Sequence, residues 1–460
     1  MTEPVLVVGE GIAGQAVALA LLDRGVPVLL VARSPAEHAE STHRHEGLEA
    51  ALGADDSPAR HLDDLVALAG EPARPFLEAM TEAAPELVSA LAQLDVPFER
   101  TRKGELALSR LPGASRPRAV HAGCQTARHV SRRLSQRLLR HEVDGLLERE
   151  LGWSVVELLL DDEGHARGAV ALCFASGESR AFAATGVCLA SGGHAGSFMA
   201  DTLAPAGLGA VTGLALRHGA RLVAPERVSF HPFCYRAGGF SRRLPRRLES
   251  LGAELDAGLL DLSKLDRAPL RLAAGPALDA YARATGADPY AEPVAVESAP
   301  DRSLGGLWVD LDHATSVPGL YAVGGVTAAY FGEATSPGTP LTAALHAARP
   351  AAGAIERYRL ERGEPKSLGS RLAAAEKRSD EAARAWLSRD DQGACVEEIA
   401  REVRQTLAAG SGDLDALEER LKKAHLGDAS LRANSALHLA LELAPALLLA
   451  RRILASPGDA

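Results

Sequence analysis

Three glycines in VLVVGEGIAG carry the plainest chemistry in this chain. Gly9, Gly11 and Gly14 are spaced G-x-G-x-x-G directly after an apolar run. In that setting the first glycine allows a tight turn, the second lets a pyrophosphate approach the backbone, and the third permits close helix–strand packing. The N-terminus of the following helix then faces the phosphates. A second stretch, YFGEATSPGTPLTAAL at 330–345, has a related shape. A glycine-rich loop runs into an alanine-rich helix, which suits backbone amides offered to a cofactor. It contains no arginine, lysine or histidine.

The elements that must position these loops follow from local pattern. VLVV reads as a buried parallel strand. A helix is expected from Ala16 to Leu22, and VPVLLVA gives a second strand, which completes a β-α-β unit. An acidic residue normally ends that second strand and binds the adenosine ribose. Here the place holds Ala32 and Arg33. Arg33 is compatible with a phosphorylated ribose, and equally with a solvated strand end. WSVVELLLDDEGHARGAVAL at 153–172 reads as strand, acidic glycine turn and strand. From about Gly363 onward, four segments rich in Ala, Glu, Arg and Leu read as amphipathic helices.

Composition bounds the function. The chain has 460 residues, 47% hydrophobic and 24% charged, so a multi-domain globular protein is expected. The net charge of −10 argues against nucleic acid as a partner, since phosphate backbones need a basic surface. No secretory signal opens the sequence, and the late apolar segment ALHLALELAPALLLA at 436–450 is too short to span a bilayer. A buried helix is expected there and no transmembrane segment. Five widely separated cysteines show no C-x-x-C or C-x-x-H spacing, so neither zinc nor an iron–sulfur cluster is expected, and a reducing cytoplasm fits best.

The next segment, STHRHEGLEAALGADDSPARHLDDLVALAG at 41–70, resembles L-aspartate oxidase and the flavoprotein subunits of succinate dehydrogenase and fumarate reductase. Those proteins read S-T-x-x-A-Q-G-G-I-x-A-A, followed by D-S-x-x-x-H-x-x-D-T. The resemblance continues through FERTRKGELALSRLPGASRPRAVHAG at 98–123, GVCLASGGHAG at 186–196, LGAVTGLALRHGARLVAPERVSFHP at 208–232 and EPVAVESAPDRSLGGLWVDLDHATSVPGLYAVGGV at 292–326. It spans roughly residues 4–360. It implies a Rossmann-like, doubly wound α/β FAD-binding domain with an inserted, shortened capping domain and a C-terminal helical domain. The implied boundaries are 1–228 and 305–362 for the FAD-binding parts, 229–304 for the cap and 363–460 for the helical tail.

The resemblance also implies a cofactor, FAD, and residues to hold it. Ser41, Thr42 and Gly47 would lie along the flavin, with Glu46 replacing the family glutamine. Ser41 stands where respiratory members carry the histidine that attaches FAD, so non-covalent FAD is implied. Aspartate oxidases often have a small residue and a base at the strand end, which makes Arg33 compatible with FAD. Ser191, Gly192 and Gly193 form a backbone loop near the cofactor. Gly324 and Gly325 form another, with Gly325 in place of the usual ribose-binding glutamate. Gly338, Thr339 and Leu341 would hold the flavin's pyrimidine end at a helix N-terminus.

Substrate residues are carried over more sparsely. His231 keeps the histidine of F-H-P that binds a substrate carboxylate in the family; a buried structural histidine is the other reading. Arg246, in LPRRLES, is the counterpart of the proton-shuttling arginine, with an exposed basic helix as the alternative. The second histidine of A-H-Y-x-x-G-G is replaced by Asp301 and Arg302; Arg302 could anchor a carboxylate, and Asp301 would oppose one. In the 330–345 loop the family histidine and arginine become Phe331 and Thr335. A wider basic cluster, Arg236, Arg242, Arg243, Arg246, Arg247 and Arg302, is a potential anion site.

Two functions follow. One is an FAD-dependent oxidoreductase passing hydride between flavin N5 and a small anionic or amino-acid substrate, with an unnamed electron acceptor or partner subunit. The other is a flavin-binding subunit that has lost dicarboxylate chemistry.

Overall fold

The computed structural model describes residues 3–199, 207–238, 240–363, 369–390 and 393–456. Five strands form the central sheet: β1 (Val5–Val8), β2 (Val28–Ala32), β3 (Leu147–Leu151), β4 (Val187–Leu189) and β5 (Leu320–Ala322). Their order is β5-β4-β1-β2-β3, and every pairing is parallel. β1, β2, β4 and β5 are buried along their whole length. This is why they read as continuous apolar runs, because a parallel sheet is covered on both faces.

Helix α1 spans Ile12–Leu22, so it begins earlier than periodicity suggested. Gly11 is its N-cap residue, and the Ser41 hydroxyl accepts the Ile12 N–H at 3.1 Å. A distant serine therefore supplies the cap that the local sequence lacks. The strand–turn–strand at 153–172 forms as expected: Trp153–Leu160 pairs antiparallel with Ala166–Cys173, and Ser179–Ala183 adds a third strand.

The chain beyond β4 leads into a further sheet built from Val228–Ala237, Phe240–Arg243 and Glu297–Ser303. Beside it, Phe233, Leu244, Leu260, Leu270, Leu278 and Val294 form a hydrophobic cluster separate from the main core. The helices Gly369–Leu387, Val396–Ala409 and Leu414–Lys422 precede a long last helix, Ser435–Ala455. That helix buries Leu437, Leu443, Leu447 and Ile453 in a further cluster. No helix among the described residues is long and apolar enough to cross a membrane.

Candidate functional site

Strand ends and loops from distant parts of the chain converge above β1 and β4. Gly9 has φ +108°, and a Cβ there would lie 2.5 Å from the Ala190 carbonyl oxygen and 3.2 Å from Ser191 Cα. Glycine alone fits this turn. A Cβ on Gly14 would stand 1.9 Å from the Gly9 carbonyl oxygen, so α1 packs directly on the loop. Gly11 faces the Ser41 hydroxyl, Gly193 abuts the Gly325 carbonyl, and Gly324 abuts Ala13. Gly192 lies between these contacts, in the same loop as Ser191 and Gly193. Thr42 is buried and donates its hydroxyl to the Ala39 carbonyl at 2.7 Å. Gly47 sits against Val120, where a Cβ would meet the carbonyl oxygen at 2.1 Å.

The loop at 330–345 ends as α2 (Thr339–His346), capped at Gly338. Its N-terminus faces Glu49: a Cβ on Gly338 would lie 2.6 Å from Glu49 Cγ, and the Thr339 hydroxyl donates to Glu49 Oε2 at 3.4 Å. Leu341 packs against the main core. Phe331, in place of the family histidine, is buried. Tyr330 stacks on His313 and bridges His313 Nε2 at 2.9 Å and His346 Nδ1 at 3.0 Å.

Arg33 is engaged elsewhere. Its guanidinium pairs with Glu442 of the last helix at 2.8 Å. Two acidic residues were missed as features of this region. Glu10, inside the glycine loop, is buried and pairs with Arg149 of β3 at 3.1 Å. Glu49 replaces an apolar family residue and is buried. The signal for both was available, since each is a carboxylate placed within an otherwise apolar or glycine-rich motif.

Of the three substrate candidates, the structure joins two. His231 lies on Val228–Ala237 and Arg302 on the neighbouring strand Glu297–Ser303. His231 is buried and Arg302 largely so, and Glu46, in the loop that follows Thr42, has its Oε1 3.7 Å from His231 Nε2. His231 Nδ1 accepts the Phe233 N–H at 3.2 Å, so the neutral ring carries its proton on Nε2, towards Glu46. Burial lowers the His231 pKa, which favours that neutral form. Burial alone would raise the Glu46 carboxyl. The neighbouring His231 ring and the Arg302 charge overturn this and hold it well below the usual range.

Arg246 does not join this pair; it bonds Glu249 at 2.8 Å. The wider basic cluster is dispersed in the same way. Arg247 makes a bidentate pair with Glu99 at 2.6 and 2.7 Å, and Arg236 bonds Glu297 at 2.7 Å. Arg243 joins Arg302 at Asp301. Its Nε lies 2.7 Å from Asp301 Oδ1. Arg44, which sequence reading did not single out, also bonds Asp301.

Nucleotide-cofactor folds place their ligand at this crevice, beyond the carboxyl ends of parallel strands. At Gly9 and Gly14 backbone meets backbone with no room for a side chain, and that close turn fits a dinucleotide cofactor. Residues 4–253 match the family model described as FAD binding domain. The chain is 34% identical to L-aspartate oxidase of Mesorhizobium japonicum over 363 residues, covering 70% of this chain and 68% of that one. It is 28% identical to the succinate dehydrogenase flavoprotein subunit of Bacillus subtilis over 373 residues. That alignment covers 70% of this chain but only 63% of the relative's own length. Among solved structures, E. coli quinol fumarate reductase FrdA superposes with a TM-score of 0.85 at 20% identity, over 99% of this chain and 88% of that one. The chain therefore belongs to the FAD-binding family that includes L-aspartate oxidases and succinate dehydrogenase flavoproteins, and it shares the fold of fumarate reductase. Its cofactor is FAD.

Proposed function

We propose that this chain is an FAD-dependent oxidoreductase that moves hydride between flavin N5 and a small acidic or amino-acid substrate. The observation that carries the reading is that His231 and Arg302, on paired strands, both act on Glu46, in the segment that follows Ser41 and Thr42. Bound FAD supplies the two-electron chemistry. Gly9, Gly11 and Gly14 would hold its pyrophosphate, and Gly338 with Thr339 its pyrimidine end. Ser41, bonded to α1 through its hydroxyl, offers no imidazole for attachment, which supports non-covalent FAD. His231 Nε2 and Arg302 would orient a substrate carboxylate. A partner subunit or small electron acceptor completes turnover, and the five unbridged cysteines suit a cytoplasmic setting.

A second reading has its own support. Arg44, Arg243 and Arg302 each already face a carboxylate of this chain, through Glu40, Glu46 or Asp301. That favours a flavin-binding partner protein without dicarboxylate turnover. Anaerobic visible spectra separate the two. The oxidoreductase reading expects a yellow protein that bleaches with at least one of succinate, L-aspartate or an uncharged L-amino acid. A flavin that all of these leave oxidised, yet dithionite reduces, establishes the second reading instead.

A further inference from the structure

The pocket around Asp301 is balanced by its own charges. Arg44, Arg243 and Arg302 supply three guanidinium groups, and Glu40, Glu46 and Asp301 supply three carboxylates. Asp301 is 6% exposed and bonds all three arginines, with 2.7 Å from Arg243 Nε and 3.0 Å from Arg302 Nε. Arg44 Nη2 and Arg243 Nη2 also donate to the Asp301 carbonyl oxygen, at 2.9 and 3.2 Å, and both reach Glu40. These two arginines are committed to the protein. Burial would push the Asp301 carboxyl up, but the three cations hold it far below its usual range, so it stays charged.

What remains for a ligand is small. Arg302 Nη1 is buried and has no hydrogen-bond partner among the described residues. His231 Nε2 is likewise buried without a hydrogen bond, 3.7 Å from Glu46. Together these are one anchor for one carboxylate. A second carboxylate would have to enter beside Asp301 or Glu46, as a buried like charge with no further unpartnered guanidinium atom beside it among the described residues.

We propose that Asp301 and Glu46 occupy the anchors a diacid would use, and that the site takes a substrate with a single carboxylate, an uncharged amino acid whose ammonium group pairs with Glu46. The proposal rests on His231 and Arg302 forming the substrate pocket of the reading above. Refusal here is built from repulsion as well as attraction, the usual route to sharp specificity.

The test is ligand binding to the FAD-loaded protein, read as perturbation of the flavin absorbance band under anaerobic conditions. L-Alanine should perturb the band saturably, and succinate should bind at least 100-fold more weakly. The Glu46→Gln/Asp301→His double variant should bind succinate at least 10-fold more tightly than the parent does. Because Asp301 holds three arginines, Glu46→Gln alone serves as the second variant: it should weaken L-alanine at least 10-fold and relax the exclusion of succinate. Succinate binding the parent as well as L-alanine does, L-alanine giving no perturbation, or Glu46→Gln leaving the preference unchanged would each overturn the proposal. Binding and reduction are read separately. A preserved preference with a flavin that never bleaches defeats the oxidoreductase reading and leaves this one standing; bleaching of the parent by succinate does the reverse.

Discussion

Arg118 grips Asp56 with two hydrogen bonds, from Nε at 3.0 Å and Nη2 at 3.1 Å, and both side chains are almost wholly buried. Arg118 Nη1 also lies 2.9 Å from Asp64. Removing one partner of a buried pair leaves the other charge uncompensated. Arg118→Ala is therefore expected to lose about 3–5 kcal/mol of stability. Arg118→Lys should recover little, since an ammonium cannot reproduce the bidentate fork. Urea unfolding of both variants checks this; a loss in Arg118→Ala below about 1 kcal/mol, the worth of an exposed pair, contradicts it.

Glu49 should give the protein an unusual alkaline weakness. Burial raises its carboxyl to about 7, from an ordinary value of 4.5. The folded state thus prefers the protonated form. That contribution is full below about pH 4.5 and is lost as pH rises through 7, amounting to roughly 3 kcal/mol for the shift. Glu49→Gln keeps the neutral shape and should raise the thermal midpoint at pH 8 relative to the parent, with the gap closing by pH 5. Parallel melting curves across that range would count against it.

Buried histidines act at the other end of the scale. Burial lowers His61 and His121 to about 3, and His313, His346 and His438 to about 4. Each is neutral in the fold and must gain a proton on unfolding in acid. Their contribution is complete above about pH 6.5 and falls away as pH drops towards 4, by about 1.4 kcal/mol per pH unit for each residue. Because five residues act together, they outweigh Glu49, and the urea midpoint should drop steeply below pH 6. A midpoint that stays level from pH 7 to 5 refutes this.

The last helix docks through a glycine. A Cβ on Gly213 would sit 1.9 Å from the Pro445 carbonyl oxygen. Backbone cannot yield as a flexible side chain does, so Gly213→Ala must push Ala210–Arg217 and Ser435–Ala455 apart. The expected cost is about 1–3 kcal/mol, with earlier protease cleavage in the C-terminal helices. Gly219→Ala makes a useful control, since nothing lies within 4 Å of its added carbon and only its positive φ opposes the change. Equal proteolysis of Gly213→Ala and the parent would show that the helices pack differently.

Much of the cofactor-binding frame was legible from local pattern. The apolar runs of β1 and β2, with Gly9, Gly11 and Gly14 between them, specify a strand–turn–helix–strand unit through short-range geometry. The amphipathic C-terminal segments likewise form helices where their periodicity placed them. The start of α1 was misjudged because its cap, Ser41, comes from a later loop. The charged residues were harder to place. Arg33, Arg246 and Arg247 are alike in sequence as strongly basic groups, yet each meets a different carboxylate: Glu442, Glu249 and Glu99.

The sequence by itself determined the elements, because strand, turn and helix follow from side-chain periodicity and from backbone freedom within a few residues. It also determined which positions depart from the family pattern, Glu46 and Asp301 among them. Only the tertiary structure decided what those departures do. Arg44, His231 and Arg243 reach these two carboxylates from separate segments, and Arg302, next to Asp301 in the chain, also acts on the distant Glu46. A charge has no preferred partner along the chain; in a buried pocket, its partner is whichever opposite charge the fold brings within a few ångströms.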